Sequence, residues 1–243
     1  IAAKAACNVV KDATTVAVGP HQYGVGRPAG VELMHKSVSA LVDEDPSRVV
    51  LGFDVSNAFG SMPRQKILDG VLGRLPLLGP VVASWLAAPT VHVYWDRRGK
   101  ASFIEAACGV DQGCPLSPLF FALGLAPALS ALAAELLLLD SSARLFAYLD
   151  DIYVVVPPAQ AEAAAQAVER CLVNCGLRLN VDKTKAWSRD SSHLLGGSLA
   201  SKVVPRLELL GASAAAWTDE DEREDSLAPV GLSGADRSPV AQA

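Results

Sequence analysis

Two patterns that would quickly decide a function are missing from this chain. It has no CxxC pair, and its four histidines, His21, His35, His92 and His193, stand at no metal-ligand spacing. The five cysteines (Cys7, Cys108, Cys114, Cys171, Cys175) are odd in number and no secretory leader opens the sequence. A disulfide framework is therefore excluded in favour of buried, reduced thiols, as expected of an intracellular protein. Excess positive charge is lacking too: the net charge is −5, and six acids crowd into residues 219–225 (DEDERED). Without that run the chain carries 20 bases and 20 acids. Such a body holds phosphate only where its cations cluster, so composition decides neither for nor against nucleic acid.

With 243 residues, 51% of them hydrophobic, the chain is long enough to bury a sizeable core. Leu119–Leu139 has only Ser130 and Glu135 as strongly polar members and is long enough to cross a bilayer. Gly124, Pro127 and Glu135 interrupt it, and a helix apolar on all sides also suits the centre of a soluble core, the reading preferred here.

Along the chain, residues 1–12 have helical composition without an initiating Met or a cap, which points to a piece of something longer. Thr14–Val18 is β-prone, Gly19–Gly30 (GPHQYGVGRPAG) is a loop, and Val31, Met34, Val38 and Leu41 recur at helical spacing. Arg48–Val55 reads as a buried strand, Pro63–Leu75 and Pro80–Ala88 as helices, and Val91–Trp95 with Ser102–Ala107 as a hairpin turning at a basic tip, Arg97 to Lys100. Leu145–Val156 (LFAYLDDIYVVV) is a second hairpin with acids at its tip. Ala159–Cys175 is a helix capped by Gly176, Val203–Gly211 a further hairpin, and the tail beyond Trp217 is expected to be disordered. Strands mixed with helices and joined by hairpins make an α+β fold.

Acids stand at the ends of two apolar strands: Asp54 closes VVLGFD, and Asp150 with Asp151 interrupts FAYLDDIYVVV. A carboxylate in such surroundings is costly unless another charge compensates it. Phosphoryl transfer to a 3′-hydroxyl uses such a set: paired Mg²⁺ ions about 3.5–4 Å apart activate the hydroxyl and stabilise the leaving oxygen, and Asp supplies the hard oxygen ligands. Taken singly, Asp54 as a turn cap and the Asp pair as an ordinary hairpin tip remain open readings.

The surrounding residues resemble the reverse transcriptase family. Tyr148-Leu149-Asp150-Asp151 resembles its YxDD signature, and Asp54-Val55-Ser56-Asn57-Ala58-Phe59 its first palm motif. Gln112 to Pro118 (QGCPLSP) is similar to the family's QG-x-P-x-SP motif, Gly176 to Thr184 (GLRLNVDKT) to the motif after the catalytic hairpin, and Arg206 to Gly211 (RLELLG), more weakly, to the primer-grip hairpin. The motifs stand in the family's order over residues 15–213, most like non-LTR retrotransposon elements.

The resemblance implies a polymerase palm, an antiparallel sheet with packed helices and an RRM-like core. Residues 1–47 would be partial fingers, 48–213 the palm and 214–243 a disordered tail. Asp54 and Asp150 would ligate Mg²⁺ (or Mn²⁺), with Asp151 assisting. Val55 and Asn57 would pass the triphosphate, and Phe59 would be the steric gate that favours deoxynucleotides. Gln112 and Gly113 would line the nascent base pair, while Tyr148, Leu210 and Gly211 would support primer and template. Lys183 would serve the leaving pyrophosphate, with Lys185 competing for that role. The implied partners are an RNA template, a DNA primer and dNTP, with no membrane. Missing fingers and thumb segments of a longer polyprotein would leave the chain with little processive synthesis alone. Residence in nucleus or cytoplasm follows from the resemblance only.

Two rival readings remain. Gly24-x-Gly26-x-x-Ala29, after a β-prone run and before a helix, fits a loose dinucleotide-binding fingerprint, although Pro28 interrupts it and Asp54 stands 30 residues from Gly24 instead of about 20. A palm fold kept as a non-catalytic interaction module is the other.

Overall fold

The computed structural model describes residues 2–213; the tail 214–243, expected to be disordered, lies outside the described residues. Four strands form one antiparallel sheet in the order β4-β5-β1-β6: β1 Val49–Phe53, β4 Arg144–Tyr148, β5 Asp151–Val156 and β6 Lys185–Trp187. Both faces of this sheet are covered, which is why β1 reads as an unbroken apolar run: all five of its residues are buried. Val49, Leu51, Phe53, Ile152 and Val154 point to a helical layer. It comprises α1 (Ala2–Val18), α4 (Arg64–Arg74), α6 (Ser117–Leu139) and α7 (Ala161–Cys175). Val50, Tyr153, Val155 and Phe146 point the other way, against α2 (Gly30–Glu44) and the segment around Leu207 and Leu209. This alternation is the period-2 pattern of a strand with two buried faces. Because α1 joins the first core and α2 the second, no packing break separates residues 2–47 from the sheet.

Among the described residues, α6 is long and apolar enough to cross a membrane, yet it is the central core helix: Phe120, Phe121, Leu123, Leu125, Leu129 and Leu132 are buried against its neighbours. Glu135 is met by Arg170 of α7 at 2.6 Å. Pro127 stands inside this helix and has no N–H, so the Leu123 carbonyl lacks its usual i+4 donor. There α4 crosses so closely that a Cβ on Gly70 would lie 2.2 Å from the Leu123 oxygen.

Three expectations are corrected. Thr14–Val18 is not a strand but the last turn of α1, where Thr14 Oγ1 donates to the Val10 carbonyl at 2.9 Å and Val18 packs into the core. With no strand before the glycine loop, the dinucleotide-binding reading loses its scaffold. The hairpin expected within Val203–Gly211 turns later, pairing β7 (Glu208–Leu209) with β8 (Ala212–Ser213), while Val203 bridges Ala186 instead. The remaining helices are α3 (Ala58–Ser61) and α5 (Gly79–Leu86), and β2 (Thr90–Trp95) with β3 (Ala101–Ala106) forms the expected separate hairpin. α7 ends as expected at Gly176, whose N–H donates to the Val173 carbonyl while Leu177 N–H donates to that of Leu172.

Gly70→Ala should lower unfolding free energy by about 3 kcal/mol in urea titration, the upper end of an overpacking penalty. Gly73→Ala in the same helix, where an added Cβ meets nothing within 4 Å, should be stabilising. Equal effects would show that the helix crossing is not what makes Gly70 necessary.

Candidate active site

Register places the acids. Pairing between β1 and β5 runs Val49↔Val156 to Phe53↔Ile152, so the next step along both strands sets Asp54 across from Asp151. On its other side β1 pairs β6 only as far as Gly52↔Lys185; the residues before β6 form a 3-10 turn, Val181–Lys183, and Val55 bridges Leu179. Lys183 Nζ donates to Asp54 Oδ1 at 3.1 Å. Lys183 rather than Lys185 is thus the lysine at the acids. The intervening segment is held by Asn180 N–H donating to the Asp54 carbonyl and Ser56 N–H donating to that of Arg178, both 2.8 Å.

The turn joining β4 to β5 is Leu149-Asp150, with Tyr148 paired to Asp151. Leu149 has φ 55°, a left-handed conformation that costs an L-residue about 1–2 kcal/mol. Its compensation comes from a residue that sequence reasoning missed, Gln22, which is fully buried. Gln22 Oε1 accepts from Leu149 N–H at 2.8 Å and from Gly24 N–H at 2.9 Å, and Nε2 donates to the Leu149 carbonyl at 3.4 Å. The flanking backbone bonds both ways: Tyr23 N–H to the Ala147 carbonyl (2.7 Å) and Ala147 N–H to that of His21 (2.8 Å). A Cβ on Gly24 would sit 2.9 Å from the Leu149 nitrogen. The glycine loop is a strap on the acidic turn. No spacing in the sequence marks Gln22; only its burial does.

Burial and mutual repulsion set the electrostatics. Desolvation, then the Asp150 and Asp54 charges, push the Asp151 carboxyl up to about 6, while Lys183 opposes them. Asp150 is raised by the same desolvation and by Asp54. Tyr153, on the face of Asp151, is driven up to about 12 by burial first and by Asp151 next. The Leu210 backbone hydrogen-bonds that phenol, so the β7–β8 turn reaches β5, and Tyr148 and Leu210 pack against the same core.

The other sequence-derived residues are distributed around this edge. The Val55 side chain is buried, leaving only its backbone to face a ligand, and Asn57 (φ 46°) is exposed at the start of α3. Phe59 stacks on Phe121, centroids 4.8 Å apart, and its carbonyl accepts from Val110 N–H at 2.9 Å. That bond, with Gly109 N–H to the Met62 carbonyl, ties the Gln112–Gly113 loop to the Phe59 turn. Gln112 and Gly113 are exposed. Cavities of about 410, 260 and 360 Å³ are lined by none of the three acids, which lie at one end of the central strands β1 and β5.

The donor set suits a hard divalent cation: half-buried carboxylates that repel one another and hold one lysine as counter-charge. Among the described residues no three His, Cys, Asp or Glu side chains are gathered closely enough to hold an ion as they stand. Asp54 is turned to Lys183.

The family profile for reverse transcriptase (RNA-dependent DNA polymerase) matches residues 2–199. The chain belongs to the reverse transcriptase family. It is 31% identical over 135 residues to the retrotransposable element SLACS 132 kDa protein of Trypanosoma brucei gambiense, covering 54% of this chain and 11% of that protein. Solved relatives in fold include apo telomerase from Candida tropicalis (TM-score 0.61, 12% identity, 87% of this chain and 38% of that one). Telomerase from Candida albicans in complex with a fragment of telomeric RNA is another (TM-score 0.58, 14% identity, 77% and 32%). The α+β architecture of this reverse transcriptase chain is the polymerase palm fold.

Lys183→Met should tighten Mn²⁺ binding about tenfold, since a cation no longer competes for Asp54, read from free Mn²⁺ by electron paramagnetic resonance. Unchanged or weaker binding would contradict competition at Asp54. Gln22→Leu leaves the Leu149 and Gly24 N–H groups without their acceptor and should cost about 2–4 kcal/mol of stability by denaturant titration. A cost below about 0.5 kcal/mol would show that the strap does not hold the turn.

Proposed function

We propose that this chain carries the nucleotidyl-transfer centre of an RNA-directed DNA polymerase of retrotransposon type. It would add deoxynucleotides to a primer 3′-OH on an RNA template. The observation that carries the reading is the strand register that sets Asp54 across from Asp151, beside the turn bearing Asp150, with the Lys183 ammonium bonded to Asp54.

Asp54 and Asp150 would hold Mg²⁺, or Mn²⁺, with Asp151 assisting. The bound ions would supply charge stabilisation at the entering and leaving oxygens. Lys183, once released from Asp54, would turn its ammonium to the departing pyrophosphate. Phe59, held by its stack on Phe121, would fill the space of a ribose 2′-OH. The exposed Gln112 and Gly113, tied through Gly109 and Val110 to the Phe59 turn, would line the nascent pair, and the backbone at Val55 and Asn57 the triphosphate. Tyr148, Leu210 and Gly211 would support the primer strand on the side of the sheet where Leu210 meets Tyr153. In this reading residues 48–213 are palm, with fingers elements before them. The protein would work where its template lies, in nucleus or cytoplasm.

Single-nucleotide extension of an annealed RNA–DNA primer by this chain with Mg²⁺ or Mn²⁺ tests the reading. Asp150→Ala should lower the rate about a thousandfold, the loss of several kcal/mol of transition-state stabilisation. Equal rates for wild type and variant would remove the catalytic assignment.

A further inference from the structure

The β2–β3 hairpin stands apart from both cores, and its exposed side chains have no task in the site described above. Pairing sets Val93 opposite Phe103 and Trp95 opposite Ala101, so Val91, Val93, Trp95 and Phe103 share one face with Glu105. Trp95 is 64% exposed and Phe103 72%. On the opposite face Tyr94 and Ile104 are exposed as well. A water-facing hairpin seldom carries this much aromatic surface unless something covers it.

The tip indicates what does. Asp96 Oδ1 accepts from Arg98 N–H (2.8 Å) and Lys100 N–H (2.9 Å), and Gly99 N–H donates to the Asp96 carbonyl (3.0 Å). The acid of the turn is thereby committed to shaping it. Among the described residues no carboxylate pairs with Arg97, Arg98 or Lys100. Three free cations on a preorganised turn adjoin two rings on neighbouring strands. Trp95 and Phe103 are diagonal neighbours, roughly 7–8 Å apart. That is about two steps of a stacked strand at 3.4 Å per nucleotide. Sheet-face aromatics on adjacent strands stack single-stranded bases, while nearby cations hold the phosphates.

We propose that the β2–β3 hairpin is a platform for single-stranded nucleic acid, separate from the carboxylate site, with bases on Trp95 and Phe103 and phosphates on Arg97, Arg98 and Lys100. The patch is aromatic, and its free charge at the tip is of one sign, complementary to a polyanion. The inference does not require the acids to be catalytic.

The test uses the full chain and labelled single strands of about 12 nucleotides, oligo-U and oligo-dT, with binding read by anisotropy over a salt series. The Trp95→Ala/Phe103→Ala variant should bind about tenfold or more weakly at an unchanged salt slope. Arg97→Ala/Arg98→Ala should make the slope of log affinity against log salt shallower by about 1.4. The aromatic substitutions should weaken binding by the same factor when placed in an Asp150→Ala background, which separates this inference from the polymerase reading. Circular dichroism should show all the variants folded, because the substituted side chains lie outside both cores. Absence of binding by the wild type, or equal binding by wild type and both hairpin variants, would overturn the proposal. So would concentration-dependent self-association that the aromatic variant abolishes while oligonucleotide affinity stays intact, since the face would then belong to a second copy of the chain.

Discussion

Carboxylates half out of water repel one another, and the whole sheet edge is organised around that repulsion. Asp150 and Asp151 are displaced upward from the ordinary carboxylate range by burial first, with the Asp150 charge adding to Asp151 and Asp54 adding to both. A raised carboxyl pKa means that the ionised cluster strains the fold: the native state holds its protons to higher pH than the unfolded chain does. Stability from this source is therefore lost as pH rises between about 4 and 6. Such a cluster persists only when something else compensates it, and Lys183 does so in this structure. The arrangement is one that a dication would relax, and the tension between stability and charge clustering is the usual mark of a working site.

The surrounding scaffold limits what those charges can do with the strain. Gln22 fixes a left-handed leucine at the turn, and the 178–180 segment lies along the backbone that follows β1. Behind the sheet, α6 supplies the apolar mass, and the Gly70 approach to the Leu123 carbonyl locks α4 against it. The long apolar helix and the acidic turn are thus two ends of one arrangement, in which a dense core holds an edge that would otherwise move apart.

Much of this was legible in the residues themselves. The unbroken apolar run of β1 announced a strand covered on both faces, LFAYLDDIYVVV announced the acidic hairpin, and Gly176 marked the end of α7. The motif order pointed to the family before any coordinate did. What stayed hidden depended on tertiary partners. Thr14–Val18 has β-prone side chains, but Thr14 satisfies the Val10 carbonyl and Val18 packs into the core, so helix wins over propensity. The glycine loop drew attention as a loose dinucleotide-binding fingerprint, whereas its fully buried glutamine is what holds the acidic turn. The two lysines, Lys183 and Lys185, could not be told apart by composition; the hydrogen bond from Lys183 to Asp54, with Lys185 paired to Gly52, separates them.

Diffraction from crystals soaked in Mn²⁺, recorded at the manganese edge, tests the central claim most directly, because it asks whether this edge gathers divalent cations without requiring turnover. The account predicts anomalous density touching carboxylate oxygens of both Asp54 and Asp150, with the Lys183 ammonium withdrawn from Asp54. Density only at other acids, with the Lys183–Asp54 pair intact at saturating Mn²⁺, would contradict it.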